Sequence, residues 1–372
     1  MQSQSELYIG LMSGTSLDGV DGVLVDFSAN GCQVLQHVAL PLSPGLRSEL
    51  LQLNTSGADE LHRAALAANA LARTYAKAVA ELLERSQMPA SAVVAIGAHG
   101  QTVRHRPGAF DGTGYTLQLN SPALLAERTG IAVVADFRSR DVAAGGQGAP
   151  LVPAFHQHLF ARPGETVLVL NLGGMANLSV LGADGEVLGF DCGPGNVLLD
   201  GWCQRHTGQS FDADGAWGAL GTAIPELLAT MLAEPYLHQA PPKSTGRDLF
   251  HADWLARHLS GHLEAAPQDV QATLVELTAN ACAQSASSYG KNSKKMVVCG
   301  GGVLNAQLMQ RLQALLPDME VSASDAWGLP AQQVEATAFA WLARQTVRGA
   351  KGSLKNVTGA CGARVLGAIY PA

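Results

Sequence analysis

The sequence lacks the features of three common classes of protein. None of its six cysteines forms a CxxC pair or falls at the spacing of zinc ligands, so they predict scattered buried thiols in a reducing compartment. No apolar run approaches the roughly 20 residues that a membrane-spanning helix needs. The first residues, MQSQSELYIG, have neither the basic nor the apolar region of a signal peptide. We therefore expect a cytoplasmic protein that has no membrane partner.

Charge and nucleotide-binding signatures are also sparse. The net charge is −7 and no basic stripe occurs, which argues against nucleic acid as the main partner. The common single-segment nucleotide motifs, GxxxxGKS/T and GxGxxG followed by an acidic residue, are both absent. Glycine, in contrast, is abundant, and its 41 residues cluster in short runs. Such runs favour many tight turns.

Apolar periodicity predicts an α/β protein. Strand-like runs alternate with amphipathic helices along the 372 residues, a pattern typical of largely covered sheets. The predicted strands are 93–98, 131–135, 166–172 and 296–299, and the predicted helices are 60–85, 124–129, 268–289, 305–316 and 334–347.

A pattern near the start of the chain recurs in its middle. In YIGLMSGTSLDGVDGVLVDF an apolar strand meets a glycine turn and a second strand follows. The same succession returns in ETVLVLNLGGMANLSVLGADGEVLGFD. Two similar openings predict two similarly built lobes, 1–163 and 164–372, with the boundary near Pro163. Because no low-complexity linker separates them, we expect the lobes to pack across a cleft.

Glycine turns between strands suit the binding of anions, because backbone N–H groups point outward and no Cβ blocks their approach. The first turn adds hydroxyl groups and the carboxylates of Asp18 and Asp21, which fit magnesium-loaded ATP better than bare phosphate. The alternative is that the turns between strands are plain hairpins and that the glycine run 300–302 is only a tight connection between a strand and a helix. The residues predicted to bind ATP or its phosphates are Gly14, Thr15, Ser16, Leu17, Asp18, Gly19, Val20, Asp21, Gly173, Gly174, Asn177, Gly300, Gly301, Gly302 and Asn305.

Six motifs occur in a specific order: MSGTSLDGVD, HGQT, ADFRSRDVAAGGQGAPLVP, FDCGPGN, PKSTGR and CGGG. From residue 8 to residue 370, the chain resembles the anhydro-N-acetylmuramic acid kinase family, within the actin, hexokinase and heat-shock-ATPase superfamily. The resemblance implies a two-lobed actin/hexokinase-like fold with duplicated mixed sheets flanked by helices and ATP in the interlobe cleft. It also implies a homodimer.

The resemblance further implies an enzyme of peptidoglycan recycling. Such an enzyme uses ATP to open the bridge of 1,6-anhydro-N-acetylmuramic acid with water and to phosphorylate its 6-oxygen. One position departs from the superfamily, since Met12 stands where an aspartate is usual. The role in binding Mg²⁺ therefore moves, and Asp18 or a water molecule is the candidate.

Asp191 is the predicted catalytic base. An apolar strand leads to it and a Gly-Pro-Gly turn follows, which places a carboxylate on a rigid strand end where it can activate water at an acetal carbon. The family resemblance implies the same position. An alternative is that Asp191 caps the helix beginning near Asn196. Asp200 is a rival base, although its place within that helix favours an indirect role.

Several polar residues near strand ends are predicted to bind the sugar. Arg138 and Arg140 flank a glycine loop and suit the lactyl carboxylate, although an Arg–Asp network that locks the loop is the alternative. His99 is a catalyst or a hydrogen-bonded strand-end histidine. The loop 243–247 contacts substrate, closes the cleft or is solvated. The full predicted set is His99, Gln101, Arg138, Arg140, Gln147, Gly148, Gly193, Asn196 and Glu335.

Other functions remain open at this stage. A simple sugar kinase would phosphorylate a free hydroxyl and add no water. An ATP-switched binding protein would need a separate peptide-binding domain, for which we expect no room after the last predicted helix. An inactive sugar sensor is a further alternative. The two-lobe prediction also leads us to expect that the lobes close on their ligands.

Overall fold

The computed structural model describes residues 6–14, 17, 19–28, 31–247 and 249–372. The predicted phosphate and metal residues Thr15, Ser16 and Asp18 lie outside the described residues. Within the described part, helices flank two mixed sheets and a separate two-stranded sheet. The predicted α/β class with two mixed sheets is therefore confirmed.

The elements follow one another closely along the chain. The strands are β1 Leu7–Met12, β2 Gly19–Asp26, β3 Gln33–Pro41, β4 Val93–Ala98, β5 Gln101–Pro107, β6 Gly114–Leu119, β7 Val133–Ala135, β8 Val167–Leu172, β9 Met175–Leu181, β10 Val187–Pro194, β11 Lys295–Cys299, β12 Glu320–Ala323 and β13 Ala368–Tyr370. The helices are α1 Pro44–Gln52, α2 Glu60–Ser86, α3 Pro122–Thr129, α4 Ser139–Ala143, α5 Val152–Phe160, α6 Val197–Thr207, α7 Pro225–Leu232, α8 Ala252–Leu259, α9 Pro267–Tyr289, α10 Ala306–Leu315, α11 Val334–Val347 and α12 Lys355–Thr358.

The chain divides into two compact units. The first comprises residues up to 155 together with 333–372, and the second comprises 156–332. The division predicted near Pro163 differs from this one, because it assigned all of 164–372 to the second lobe. Residues 333–372 instead belong with the first unit, where α11 packs on β1 and β4 and β13 pairs with β7.

Two glycines explain why α11 packs so closely on the first sheet. Gly10 in β1 and Gly97 in β4 are paired neighbours on parallel strands. A Cβ on Gly10 would collide with the carbonyl oxygen of Ala336, and one on Gly97 with that of Phe339. The absence of both side chains lets the backbone of α11 approach the sheet, which fixes the C-terminal segment to the first unit.

The two mixed sheets share one order of strand pairing. In the first sheet the order is β13-β7-β4-β1-β2-β3, and in the second it is β10-β9-β8-β11-β12. Each sheet is built on an antiparallel meander of three strands, and the first strand of the meander also pairs in parallel with a later strand. A further parallel pair follows in each sheet. This common order agrees with the repeated pattern in the sequence.

Each unit has its own apolar core. In the first unit α2 buries Leu71, Tyr75 and Leu82, which recur at helical spacing and face the sheet. In the second unit α9 is buried on nearly all sides, from Val270 to Ala286. The predicted helix 334–347 and strand 93–98 have the predicted bounds, and the other predicted elements differ by a few residues at their ends. In the described part of the chain, no helix combines the length and apolarity needed to cross a membrane.

Candidate active site

The turn between β1 and β2 is described at Gly14, Leu17 and the residues from Gly19 onward. The backbone N–H of Leu17 donates to the carbonyl oxygen of Gly14 at 3.2 Å, and Arg47 Nε donates to the carbonyl oxygen of Leu17 at 3.1 Å. Gln101 Nε2 donates to the Gly14 carbonyl as well, at 3.1 Å. The first predicted phosphate turn is thus tied to the start of β5 and to α1.

Two of the predicted phosphate residues on β2 have other contacts. Val20 is buried in the core of the first unit. Asp21 pairs with Met12 across the sheet, and its Oδ1 lies 3.1 Å from His37 Nε2. The carboxylate of Asp21 is partly exposed and remains available to ordered water.

Tyr75 links the start of the β1–β2 turn to the turn between β4 and β5. Sequence reasoning did not identify this residue. Ser13 Oγ lies 3.0 Å from the Tyr75 hydroxyl and donates to the carbonyl oxygen of Gly100 at 3.1 Å. The backbone N–H of Gly100 donates to the Tyr75 hydroxyl at 3.2 Å. Burial raises the pKa of Tyr75, so the phenol stays neutral. The periodicity of α2 marks this residue only as part of the core, so no sequence signal distinguishes it.

His99 and Arg138 are brought together. Arg138 donates to His99 Nε2 from Nε at 3.2 Å and from Nη2 at 3.0 Å, and its Nη1 donates to the carbonyl oxygen of Gly148 at 2.8 Å. His99 is 5% exposed and lies against the ring of Phe339. Burial, with a smaller contribution from Arg138, lowers the pKa of His99 to about 3. His99 is therefore neutral at physiological pH and orients the arginine as a hydrogen-bond acceptor.

Asp141 holds the glycine loop after α4. Asp141 is fully buried, and its carboxylate accepts from the backbone N–H of Gly148 at 2.8 Å and from Thr358 Oγ1 at 2.8 Å. The backbone N–H of Gln147 donates to the carbonyl oxygen of Thr358 at 2.7 Å. Arg140 is exposed. The C-terminal segment therefore supports the loop that orients Arg138.

Gln101 and Glu335 also belong to the first unit. Gln101 is 1% exposed, and within the described residues its Oε1 has no hydrogen-bond partner. A buried amide oxygen without a partner is costly in free energy, so a donor from a bound molecule would stabilise it. Glu335 is half-buried in the first turn of α11, which agrees with its predicted place at a helix start.

Asp191 lies near the end of β10 in the second unit. Its side chain is 7% exposed, and Oδ2 accepts from the backbone N–H of Thr245 at 2.9 Å. Its backbone N–H donates to the carbonyl oxygen of Lys243 at 3.2 Å. The N-cap of α6 is Asn196, so Asp191 does not cap that helix. Asp200 lies in the first turn of α6 and is half-buried.

The loop 243–247 is anchored, not simply solvated. Lys243 is 7% exposed, and its Nζ donates to the carbonyl oxygens of Tyr236 and Leu237, each at 3.1 Å. The Tyr236 hydroxyl donates to the carbonyl oxygen of Asp191 at 3.0 Å. Burial lowers the pKa of Lys243, while the nearby Cys192 and Asp191 raise it.

The second glycine turn, Gly173–Gly174, accepts hydrogen bonds from the start of α6. The backbone N–H groups of Gly195 and Asn196 donate to the carbonyl oxygens of Gly174 and Gly173, at 3.0 and 2.8 Å. The Asn196 side chain donates to the carbonyl oxygen of Leu172 at 3.0 Å. Predicted residues 173, 174, 193 and 196 are thus neighbours. Asn177 Oδ1 is buried and has no partner within the described residues.

The third glycine run follows β11 directly. Gly300 has φ +85°, and a Cβ there would lie 2.5 Å from Asn171 Oδ1, which excludes a larger residue on two grounds. At Gly301 the nearest atom to a Cβ would be Asn196 Nδ2, at 3.8 Å, so this position is open. Asn305 is the N-cap of α10, and its Oδ1 accepts from the backbone N–H of Leu308 at 3.0 Å. The predicted helix start at Asn305 therefore corresponds to its cap.

The described residues hold no preformed metal centre. Within the ranges given above, no group of three or more histidine, cysteine, aspartate or glutamate side chains could hold a metal ion. The predicted ligand Asp18 lies outside those ranges. His156 is fully buried, and its Nδ1 lies 2.8 Å from Ser179 Oγ.

Comparison with known proteins gives one consistent result. The model of the family "Anhydro-N-acetylmuramic acid kinase" matches residues 6–372. A protein of that name from Albidiferax ferrireducens is 63% identical, over 99% of this chain and 100% of its own. Another of that name, from Variovorax paradoxus, is 63% identical over 99% of each chain. A solved ROK family glucokinase from Streptomyces griseus covers 91% of this chain and 99% of its own at 16% identity and a TM-score of 0.42, too distant to carry an argument.

Proposed function

Because the chain belongs to the anhydro-N-acetylmuramic acid kinase family, we propose that it opens the anhydro bridge of its sugar with water activated by Asp191. The protein is a kinase of this family. The proposal adds the mechanism to that activity. The products are N-acetylmuramic acid 6-phosphate and ADP, and the reaction serves peptidoglycan recycling and amino-sugar metabolism in the cytoplasm.

The observation that carries the proposal is the fixed carboxylate of Asp191. The backbone N–H of Thr245 holds Oδ2 at 2.9 Å, and Asp191 itself lies within strand β10. Water attacks the anomeric carbon while the carboxylate takes a proton from it, as a general base does in an inverting glycosidase. The bond from C1 to O6 breaks, and O6 forms a bond to the γ-phosphorus of ATP as ADP leaves.

The glycine turns that follow β1, β8 and β11 support the binding of ATP. Phosphoryl transfer needs positioning and charge neutralisation more than covalent help from the protein. We propose that Mg²⁺ arrives with ATP and takes most of its ligands from phosphate oxygens and water, as it commonly does. The residues assigned to ATP are those predicted from the sequence, with Asp21 as a group that orients water and with Val20 and Asn305 in supporting roles.

Arg138 supports the binding of the lactyl carboxylate. Its guanidinium is held by His99 and by the carbonyl oxygen of Gly148, so its position is fixed before substrate arrives. Arg140 is exposed and is the weaker candidate. Gln101 offers its Oε1, which has no hydrogen-bond partner among the described residues, to a hydroxyl or acetamido N–H of the sugar. We also propose that the enzyme acts as a homodimer, as the family resemblance implies.

The test weighs the sugar product by mass spectrometry after incubation with magnesium, ATP and 1,6-anhydro-N-acetylmuramic acid. We expect a gain of one phosphoryl group plus one water, and no product without magnesium. The Asp191→Asn variant should be slower by roughly 10²- to 10⁴-fold. Asp318→Asn changes an exposed carboxylate of the same unit and should leave the rate unchanged. A gain of phosphoryl alone would identify an ordinary sugar kinase, and full activity of Asp191→Asn would remove Asp191 as the base.

A further inference from the structure

Lys243 is an unusual residue to find buried at the base of a loop. Its ammonium group is within hydrogen-bond distance of two carbonyl oxygens, those of Tyr236 and Leu237, and lies 4.8 Å from the centroid of the Tyr236 ring. The ring of Phe190 is 5.8 Å away. Burial of a charge costs free energy even when the charge is hydrogen-bonded. Packing alone would be served as well by an apolar residue of the same length.

Hydrogen bonds connect Lys243, Tyr236 and Asp191 in a closed ring. The ammonium of Lys243 binds the carbonyl oxygen of Tyr236, and the hydroxyl of Tyr236 binds the carbonyl oxygen of Asp191. The backbone N–H of Asp191 then donates to the carbonyl oxygen of Lys243 itself. Each of the three residues is therefore held by the other two, through both main-chain and side-chain atoms.

This ring of hydrogen bonds is connected to the carboxylate of Asp191 through Thr245. This residue lies two positions after Lys243, and its backbone N–H is the donor to Asp191 Oδ2. The position of that N–H depends on where the loop 243–247 begins, and the ammonium of Lys243 fixes that point. Through this N–H the loop donates a directed hydrogen bond to Asp191 Oδ2, which orients the carboxylate.

We propose that Lys243 is a positioning residue for Asp191, which it orients by anchoring the loop that donates to Asp191 Oδ2. The proposal rests on the proposed function, in which Asp191 is the general base. A base must be held within a fraction of an ångström of its productive geometry, and a misplacement of about 1 Å can cost roughly 10²-fold in rate. Because Lys243 is buried and its ammonium binds main-chain carbonyl oxygens, its loss should affect the chemical step and leave substrate binding unchanged.

The first measurement compares steady-state kinetics of three variants. Lys243→Met removes the ammonium and keeps the length of the side chain. Tyr236→Phe removes only the hydroxyl that binds Asp191 and guards against misfolding of the first variant. Lys295→Met is the control, since Lys295 lies in the same unit, is 38% exposed and pairs with Glu165. We expect kcat to fall at least tenfold in Lys243→Met and several-fold in Tyr236→Phe, with both KM values within twofold of the wild type. The control should match the wild type.

The second measurement is amide hydrogen exchange, which does not depend on activity. Lys243→Met should speed exchange in peptides covering 243–247 and leave those covering β11 unchanged. An unchanged kcat, a rise in KM alone, or unchanged exchange at 243–247 would each overturn the proposal. If the wild-type protein makes no product, the proposed function itself fails. If the wild type is active and Lys243→Met is equally active, only the positioning role fails.

Discussion

Arg138 and His99 carry one positive charge between them, because the guanidinium donates to an imidazole nitrogen that has no proton. The pKa of His99, lowered to about 3 chiefly by burial, keeps the ring neutral wherever the protein is folded near neutral pH. Both Nε and Nη2 of Arg138 are directed at this nitrogen. The pair is therefore a cation held in a fixed position, which suits a carboxylate better than a mobile surface arginine does.

The first prediction separates the two arginines. Arg138→Lys should raise the KM for the anhydro sugar at least tenfold, because lysine cannot reproduce the forked contact with His99 and a carboxylate together. Arg140→Lys, at an exposed position, should leave KM unchanged. Steady-state kinetics with the sugar as the varied substrate provides the test. An equal effect of both substitutions would mean that the carboxylate is bound elsewhere.

A second prediction concerns the buried carboxylate of Asp141. Thr358→Val removes the hydroxyl that donates to Asp141 Oδ1 and leaves a buried oxygen without that partner. The free energy of unfolding should fall by about 1–3 kcal/mol. Thr55→Val, which removes an exposed hydroxyl, should change it by no more than about 0.5 kcal/mol. Urea titration of both variants measures the difference, and equal stability would show that Asp141 finds another donor.

The third prediction is a dependence of stability on pH through His156. Burial lowers its pKa to about 3, whereas an unfolded histidine has a pKa of about 6.5. Between these values the unfolded chain binds a proton at this site and the folded chain does not, so the free energy of unfolding falls as the pH falls. Above pH ~6.5 the site contributes no dependence. His99 acts in the same direction.

His156→Gln should make this acid destabilisation smaller. Between pH ~7.5 and ~5 the loss of unfolding free energy should shrink by about 2 kcal/mol relative to the wild type. The exposed His62→Gln is the control and should keep the wild-type loss. Urea titrations at the two pH values give the numbers. An unchanged loss in His156→Gln would mean that His156 takes up its proton in the folded protein.

The fourth prediction distinguishes structural from nucleotide-binding glycines after β11. Gly300→Ala should lower the melting temperature, because φ is +85° there and a Cβ would lie 2.5 Å from Asn171 Oδ1. Gly301→Ala has room for its methyl group and should fold normally. If the nucleotide approaches this backbone, Gly301→Ala should raise the KM for ATP several-fold at unchanged melting temperature. An unchanged KM would remove Gly301 from the nucleotide site.

Local patterns in the sequence predicted the longest helices and several strands of the fold. The apolar spacing of α2 and the buried run of β4 depend only on neighbours within a few residues. The predicted bounds of these two elements therefore agree with the structure to within one residue. The strand–turn–strand pattern of β1 and β2 recurs in the sequence at β8 and β9, and this recurrence predicted two similarly built lobes. Asn305 was assigned to ATP, although its position one residue before α10 is the usual signature of an N-cap.

Local sequence patterns do not predict contacts between segments that are far apart in the chain. Nothing local to Gly10 indicates that Ala336 will lie against it, because that contact joins residues far apart in the chain. The same holds for Thr358 and Asp141, and for Tyr75 and Ser13. The sequence allowed Lys243 to be solvent-exposed, because a charged residue in a loop usually is. It is buried because it packs against Tyr236 and Phe190.

The close approach of α11 to Gly10 and Gly97 has a consequence for synthesis of the protein. The first unit needs residues 333–372 to cover its sheet. The face of the sheet on which α11 packs therefore stays uncovered until the ribosome has completed the rest of the chain. Residues 156–332 are contiguous and have their own core. The segment that carries Asp191 can therefore mature during translation, whereas the segment that carries Arg138 is finished last and is the one more exposed to chaperones and proteases.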